Sequence, residues 1–240
     1  MLICEYDGTA YHGWQIQPNG ISIQEVLEEK IGIIIQEKIR LTASGRTDAG
    51  VHALNQVANF RTASHLNTEN LLRGINSLLP ADIAVTVLRD VANDFHARYS
   101  AKSKVYVYRI LNRPVKSALD RNYSWHVRTP LDLETMRETA DLLRGTHDFT
   151  SFCAAGGDAH DHVRTVMDVT LAVTDGIVTF TIEANGFLRY MVRNIVGLLV
   201  DVGRGSVTSD DFKEVLAARD RTKAGITAPP QGLFLKEVRY

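Results

Sequence analysis

The apolar residues run through the same order of elements twice, and that order constrains the fold more than any other feature of the chain. In the first pass, residues 2–6 read as a strand that turns at Asp7-Gly8. "SIQEVLEEKIGIIIQEK" follows as a helix. Ser22 and Glu25 form a capping-box pattern, and Ile23, Val26, Leu27, Ile31 and Ile34 share one helical face. A short strand at 39–43 comes next. From His52 to Phe60 the chain alternates as a strand does, with His52, Leu54, Gln56, Ala58 and Phe60 on one side. A second helix carries Leu71, Leu72, Ile75, Leu78 and Leu79 and is stopped by Pro80. "IAVTVLRD" closes the set as a strand.

The second pass begins with the strand "KVYVYRIL" (104–111). "DLETMRETADLLRG" reads as a helix with Leu133, Met136, Ala140 and Leu143 on one face. "VRTVMDVTLAV" and "IVTFTIEA" form a hairpin across Asp175-Gly176, a favoured tight-turn pair. "FLRYMVRNIVGLLVDVG" and "SDDFKEVLAA" are helices, and "LFLKEVRY" is the last strand. The β-α-β-β-α-β order is the split ferredoxin-like motif. The expected fold class is therefore α+β, built of two ferredoxin-like halves with mainly antiparallel sheet flanked by helices. The expected domains are 1–101 and 102–240, with the seam near Ala101, and 240 residues suit that division.

Bulk properties narrow the setting. The opening "MLICEYDG" has no basic segment followed by an apolar run, so no signal peptide is expected. The run "IVGLLV" is too short to cross a bilayer. The two cysteines, Cys4 and Cys153, lie far apart without CxxC spacing, which fits a reducing compartment and not a disulfide scaffold or a zinc ribbon. A cytoplasmic protein is expected. The formal net charge of −1 hides an uneven distribution. Between Arg98 and Arg128 eight cations face one acid, Asp120, a local net of +7. Such a run reads either as a solvated face or as a footprint for a polyanion.

Three stretches are candidates for chemistry. In "SGRTDAGVHALNQV", Gly45 and Gly50 bracket Asp48, and glycine admits positive φ or a close partner. Arg46 stands two residues before the acid, and a guanidinium held there keeps Asp48 ionised. A positioned carboxylate serves as nucleophile or general base. In isolation, "RTDAG" is also an ordinary turn with an exposed ion pair. On the strand at 104–111, Lys104, Tyr106, Tyr108 and Ile110 share a face. Aromatics so placed are core residues, or, inside a basic window, a platform for splayed bases. The helix from Phe187 to Val202 is apolar nearly all round, with Phe187, Met191, Ile195, Leu198 and Leu199 on one side. It nevertheless carries Arg189 and Arg193. Arg193, deeper in, calls for a carboxylate or a phosphate, and Asp48 is a candidate.

Weaker patterns read as structural. His160 and His162 have no third ligand at a recognisable spacing, so a polar loop is expected and not a metal site. His52 and His96 read as ordinary polar contacts. "GRGS" (203–206) lacks Walker spacing.

Six stretches, in this order, carry a resemblance: "EYDGTAYHGWQIQPNGISIQEVLE", "GRTDAGVHA", "FHARYSAKSKVYVYRI", "DFTSF", "MVRNIVG" and "GLFLKEVRY". Together they resemble the tRNA pseudouridine synthase A family over nearly the whole chain. The resemblance implies a fold of the pseudouridine synthase type and an isomerase that converts uridines 38 to 40 of the tRNA anticodon arm to pseudouridine. It implies neither metal nor organic cofactor, and a homodimer in which one tRNA touches both subunits. The family's catalytic aspartate matches Asp48, its base-stacking aromatic Tyr106, and the arginine paired with the aspartate Arg193. Arg46 matches the arginine that helps flip the base, and Leu233 an apolar wall against it. The chain departs from its relatives at Val105 and Val107, positions often basic, and at Asn55, where glycine is common. Asp48 could act by attack on the sugar, by attack on C6 of the base, or by removal of a sugar proton. The alternatives from other classes are a non-catalytic RNA-binding protein on the same scaffold and an N-glycoside hydrolase.

Overall fold

The computed structural model describes residues 1–154 and 161–240. Contacts divide the chain into one unit of Met1–Lys102 with Phe234–Tyr240 and another of Ser103–Leu233.

The first unit contains β1 (Leu2–Tyr6), α1 (Ile23–Ile35), β2 (Thr42–Ala43), β3 (His52–Asn59), α2 (Thr68–Leu78) and β4 (Ile83–Leu88), the order read from the sequence. Its strands run β4-β1-β3, with β2 on the far side of β3, and each of these pairs is antiparallel. This is the ferredoxin-like arrangement. The capping box forms as expected: Ser22 Oγ accepts from Glu25 N–H, and the Glu25 carboxylate accepts from Ser22 N–H. Ile23, Leu27, Ile31 and Ile35 are buried, each contributing about 1.5–3 kcal/mol. Ile34, expected on that face, instead meets Gly74 of α2, where even a Cβ would sit 3.3 Å from Ile34 Cδ1.

The alternation of β3 breaks where β1 advances two residues, Cys4 to Tyr6, while β3 advances three, Gln56 to Ala53. The extra residue is a bulge and reverses which side chains face inward. Gln56 and Ala58 are buried, but Leu54, expected beside them, is 45% exposed.

The second unit contains β5 (Ser103–Asn112), β6 (Trp125–Val127), α3 (Leu133–Asp141), β7 (Gly145–Asp148), β8 (Val163–Thr174), β9 (Ile177–Ala184), α4 (Met191–Gly203) and α5 (Ser209–Ala218). Its strands run β5-β9-β8-β7. The β8–β9 hairpin turns at Asp175 and Gly176, with φ of 51° and 77°, as the dipeptide dictates. Tyr108, Ile110, Phe180 and Ile182 lie on one face of β5 and β9 and are buried. α4 packs on β5 and on α3.

Three boundaries differ from the sequence reading. α3 ends at Asp141, because Gly145 with φ of 99° starts β7, a strand too short to show alternation. α4 begins at Met191 and not at Phe187, because Tyr190 takes the left-handed conformation with φ of 65°. β10 (Leu233–Arg239), read from the sequence as the end of the second half, lies from Phe234 onward in the first unit. There it pairs parallel with β3 through Phe234↔His52 and Leu235↔Ala53. Among the described residues, no helix is long and apolar enough to cross a membrane.

Candidate active site

The turn carrying Asp48 is fixed from two directions. On the strand side, Ser44 N donates to Val57 O at 2.8 Å and Ser44 Oγ to Gln56 Oε1 at 2.7 Å. The buried Gln56 amide donates in turn to Gly45 O at 2.8 Å. On the other side stands the loop after β1. Trp14 N donates to Thr47 O at 3.1 Å, and Gly50 N to Tyr11 O at 3.3 Å. The hydroxyls of Tyr6 and Thr47 bond at 2.8 Å. Val51 N closes the turn onto Asp48 O at 3.1 Å, with Gly50 at φ of 75°. Ser44 and Thr47 are buried, Asp48 is half-buried and Arg46 is exposed. The sequence thus places a half-buried carboxylate on a backbone held by at least four partners. Such preorganisation suits a reacting group.

In the second unit both strand tyrosines are buried, Tyr108 the more completely. Tyr108 is wholly buried, and its hydroxyl donates to Pro229 O at 2.7 Å. Burial pushes that hydroxyl's pKa far up, so it stays protonated. Its ring also packs on Gly232, where a Cβ would lie 2.6 Å away. Tyr108 is therefore a core residue. Tyr106 is 7% exposed, and its ring meets Phe187 edge-on with centroids 4.8 Å apart. Leu233, next after Gly232, is buried.

The left-handed Tyr190 sets how α4 presents its arginines. Arg189 lies outside the helix and is exposed, contrary to the sequence reading that put it within. Arg193 is in the first turn and half-buried, nearer the surface than a deep position. Its Nε donates to Ala228 O at 2.8 Å, and Ala228 N donates back to Arg193 O at 3.0 Å. The guanidinium carbons of Arg189 and Arg193 lie 4.9 and 4.8 Å from the centre of the Tyr190 ring, within cation–π range. One turn on, a Cβ at Gly197 would run into the Ile226 carbonyl, so residues 226–228 lie flat on the helix.

Sequence reasoning missed the residue that organises this region. Asn194 is wholly buried. Its amide donates to Phe152 O at 2.7 Å, and its oxygen accepts from Arg221 at 3.0 Å and from Thr227 Oγ1 at 2.6 Å. An amide inside an otherwise apolar helix was the available signal, since buried polar groups need partners. Of the residues singled out from the sequence, Arg46 and Asp48 belong to the first unit, and Tyr106, Arg193 and Leu233 to the second.

The weaker patterns resolve as follows. His52 Nδ1 lies 3.1 Å from Gly8 N and from Asp7 Oδ1, and its ring stacks on Phe234 at 4.7 Å. His160 lies outside the described residues; His162 offers its carbonyl to Phe149 N–H. Among the described residues, no three His, Cys, Asp or Glu side chains gather as a metal site. "GRGS" ends α4, with Gly205 at φ of 72° donating to Val202 O. Within the basic window, Arg109 lies 3.8 Å from Asp120, while Arg113 and Arg121 donate to the local carbonyls of Val115 and Ala118. Asn55, a departure from the expected pattern, donates to Lys236 O at 2.9 Å. Both cysteines are buried free thiols, and burial raises the pKa of each.

A family model described as tRNA pseudouridine synthase matches residues 2–100 and 139–240, and the chain belongs to that family. Relatives named tRNA pseudouridine synthase A include one from Thermoanaerobacter sp. (strain X514). It is 50% identical over 240 residues, a match spanning 100% of this chain and 98% of the relative. One from Myxococcus xanthus is 46% identical over 240 residues, spanning 100% of this chain and 91% of the relative. A tRNA pseudouridine synthase A 2 from Clostridium perfringens (strain 13 / Type A) is 46% identical over 239 residues, spanning 100% and 98%.

Proposed function

We propose that the protein isomerises uridines 38 to 40 in the anticodon arm of tRNA to pseudouridine, with Asp48 as the essential catalytic group. The reaction breaks the C1′–N1 bond, turns the uracil and joins C1′ to C5. N1 gains a proton and C5 gives one up, so composition is unchanged and no co-substrate enters. One carboxylate suffices for this; the pair a glycosidase uses is not required. The observation that carries the reading is the Asp48 turn, a half-buried carboxylate on a backbone bonded from both sides. Membership of the family supports it.

A base stacked in an RNA arm must be flipped out and held before its glycosidic bond can react. In this reading Arg46 assists the flip, Tyr106 stacks on the base, Leu233 forms the apolar wall and Arg193 pairs with Asp48. Tyr106 is 7% exposed, so a base stacking there displaces whatever now covers the ring. The protein acts in the cytoplasm as a homodimer that holds one tRNA across both subunits. Sedimentation analysis tests the dimer.

The deciding experiment treats an unmodified tRNA transcript with the protein, digests the RNA to nucleosides and separates them. The wild type yields pseudouridine. Asp48→Asn yields none, while its tRNA affinity stays within about tenfold, roughly 1.4 kcal/mol. Pseudouridine formed by Asp48→Asn would overturn the assignment of the catalyst. Release of free uracil would make the protein an N-glycoside hydrolase, and no change in the RNA would leave it a binding protein.

A further inference from the structure

We infer that Tyr99, with His96 behind it and Arg98 beside it, is a second nucleobase-stacking site that grips an unpaired base of the tRNA away from the uridine being isomerised. The inference rests on tRNA being the substrate.

Tyr99 is 76% exposed, the most exposed phenylalanine, tyrosine or tryptophan among the described residues. A single exposed aromatic is ordinary. This one differs in how firmly its backbone is held. His96 N donates to Ser100 Oγ at 3.1 Å, and Ser100 N donates to His96 O at 2.9 Å. His96 Nδ1 accepts from Arg98 N at 3.2 Å and from Tyr99 N at 3.3 Å. Ala97, between them, is wholly buried. Its N–H donates to Asn59 Oδ1 at 2.8 Å, and its carbonyl accepts from the Tyr240 hydroxyl at 2.8 Å. The Tyr240 ring packs on Phe95 at 5.0 Å. The turn is thus anchored on both sides of an exposed ring.

The immediate surroundings of the ring suit a base. The His96 ring lies 4.3 Å from that of Tyr99 at an interplanar angle of 34°, so it backs the tyrosine while most of the tyrosine stays in solvent. The Arg98 guanidinium carbon is 5.7 Å from the Tyr99 centroid. From there it can lie along a stacked base or reach its phosphate. Lys102 is exposed four residues on from Arg98, and Arg61 is held at the same loop by donating to Asn93 O at 3.3 Å. An aromatic face with flanking cations is how single-stranded nucleotides are held without sequence readout. A preformed ring loses little entropy on binding.

The test measures affinity for an unmodified tRNA transcript by fluorescence anisotropy across a salt series, and pseudouridine formation in parallel. Tyr99→Ala is expected to weaken binding and raise KM by roughly tenfold, with kcat within about twofold. Tyr99→Phe is expected to recover most of that loss, because the ring remains. Arg98→Gln is expected to reduce the slope of log affinity against log salt by about one. Because anisotropy does not require turnover, it decides this contact even if the wild type forms no pseudouridine. Unchanged affinity in both Tyr99→Ala and Arg98→Gln overturns the inference. So does a Tyr99→Ala protein that binds tRNA normally but loses its dimer in sedimentation, since the ring would then face a second copy. If Tyr99→Ala fails to fold, Arg98→Gln decides, and an unchanged salt slope sinks the proposal.

Discussion

Gly13 lies directly against the Thr47 carbonyl: a Cβ at residue 13 would stand 2.5 Å from Thr47 O and 3.0 Å from the Asp48 carbonyl carbon. Gly13 also has φ of 83°, a conformation side-chain-bearing residues rarely adopt. The loop after β1 therefore reaches the Asp48 turn only because residue 13 lacks a side chain. Gly13→Ala adds a methyl group where backbone stands and imposes strain. We expect it to lower stability by about 1–3 kcal/mol and to reduce kcat more than it raises KM, because the turn moves with its carboxylate. Thermal melting and steady-state pseudouridine formation measure the two effects. A fully active, fully stable variant would show that the contact does not position the turn.

The paired tyrosines of β5 give opposite expectations for the same substitution. Tyr108→Phe removes the hydroxyl that donates to the Pro229 carbonyl and should cost about 1 kcal/mol in urea unfolding. Tyr106→Phe keeps its ring, so tRNA binding should survive. A large loss of tRNA affinity in Tyr106→Phe would argue that its hydroxyl and not its face meets the substrate.

Asn194 joins α4 to Phe152, Arg221 and Thr227. Asn194→Leu keeps the branched shape but strands the Phe152 carbonyl and takes the amide oxygen from Arg221 and Thr227. The expected loss is about 3 kcal/mol, read as a lower urea midpoint with an unchanged m-value. A change under about 1 kcal/mol would show that these groups find other partners.

Asp148 provides a pH-dependent contact. Burial acts to raise its carboxyl pKa, but bonds from Thr150 N at 3.0 Å and Thr150 Oγ1 at 2.6 Å, with Arg219 at 3.1 Å, hold it below the usual range. A depressed pKa stabilises the fold above the unfolded value, about 3.9, and that contribution fades as pH falls through the folded value. Asp148→Asn should therefore melt below the wild type at pH 6, and the gap should narrow as the pH drops from about 5 toward 3. A gap independent of pH would remove the carboxylate's charge from the account.

Arg193 is tied to the 226–228 segment through Nε and through its own backbone. Arg193→Lys retains charge but not the planar fork. We expect it to lose most of the activity that Arg193→Ala loses, with melting temperature recovered only in part. Full rescue of activity by lysine would reduce the residue to a point charge.

Legibility in the sequence followed the range of the forces involved. The capping box of Ser22 and Glu25 spans three residues, and the Asp175-Gly176 turn spans two; both formed as read. The Asp48 turn was visible through its bracketing glycines. What holds it was not, because the Trp14–Thr47 and Gln56–Gly45 bonds join residues far apart in the chain. Tyr106 and Tyr108 looked alike by period. Only the approach of Pro229 and Gly232 made Tyr108 the more deeply buried of the two.

Periodicity by itself determined the β-α-β-β-α-β order of the first unit, most of the buried helix faces and the chemistry-bearing turn, since each depends on side-chain spacing along a local backbone. Only the tertiary structure decided that β3 bulges, that Tyr190 turns left-handed before α4, and that β10 joins the first unit beside β3. Those choices depend on which distant backbone groups satisfy one another's hydrogen bonds, and no local spacing encodes a distant partner.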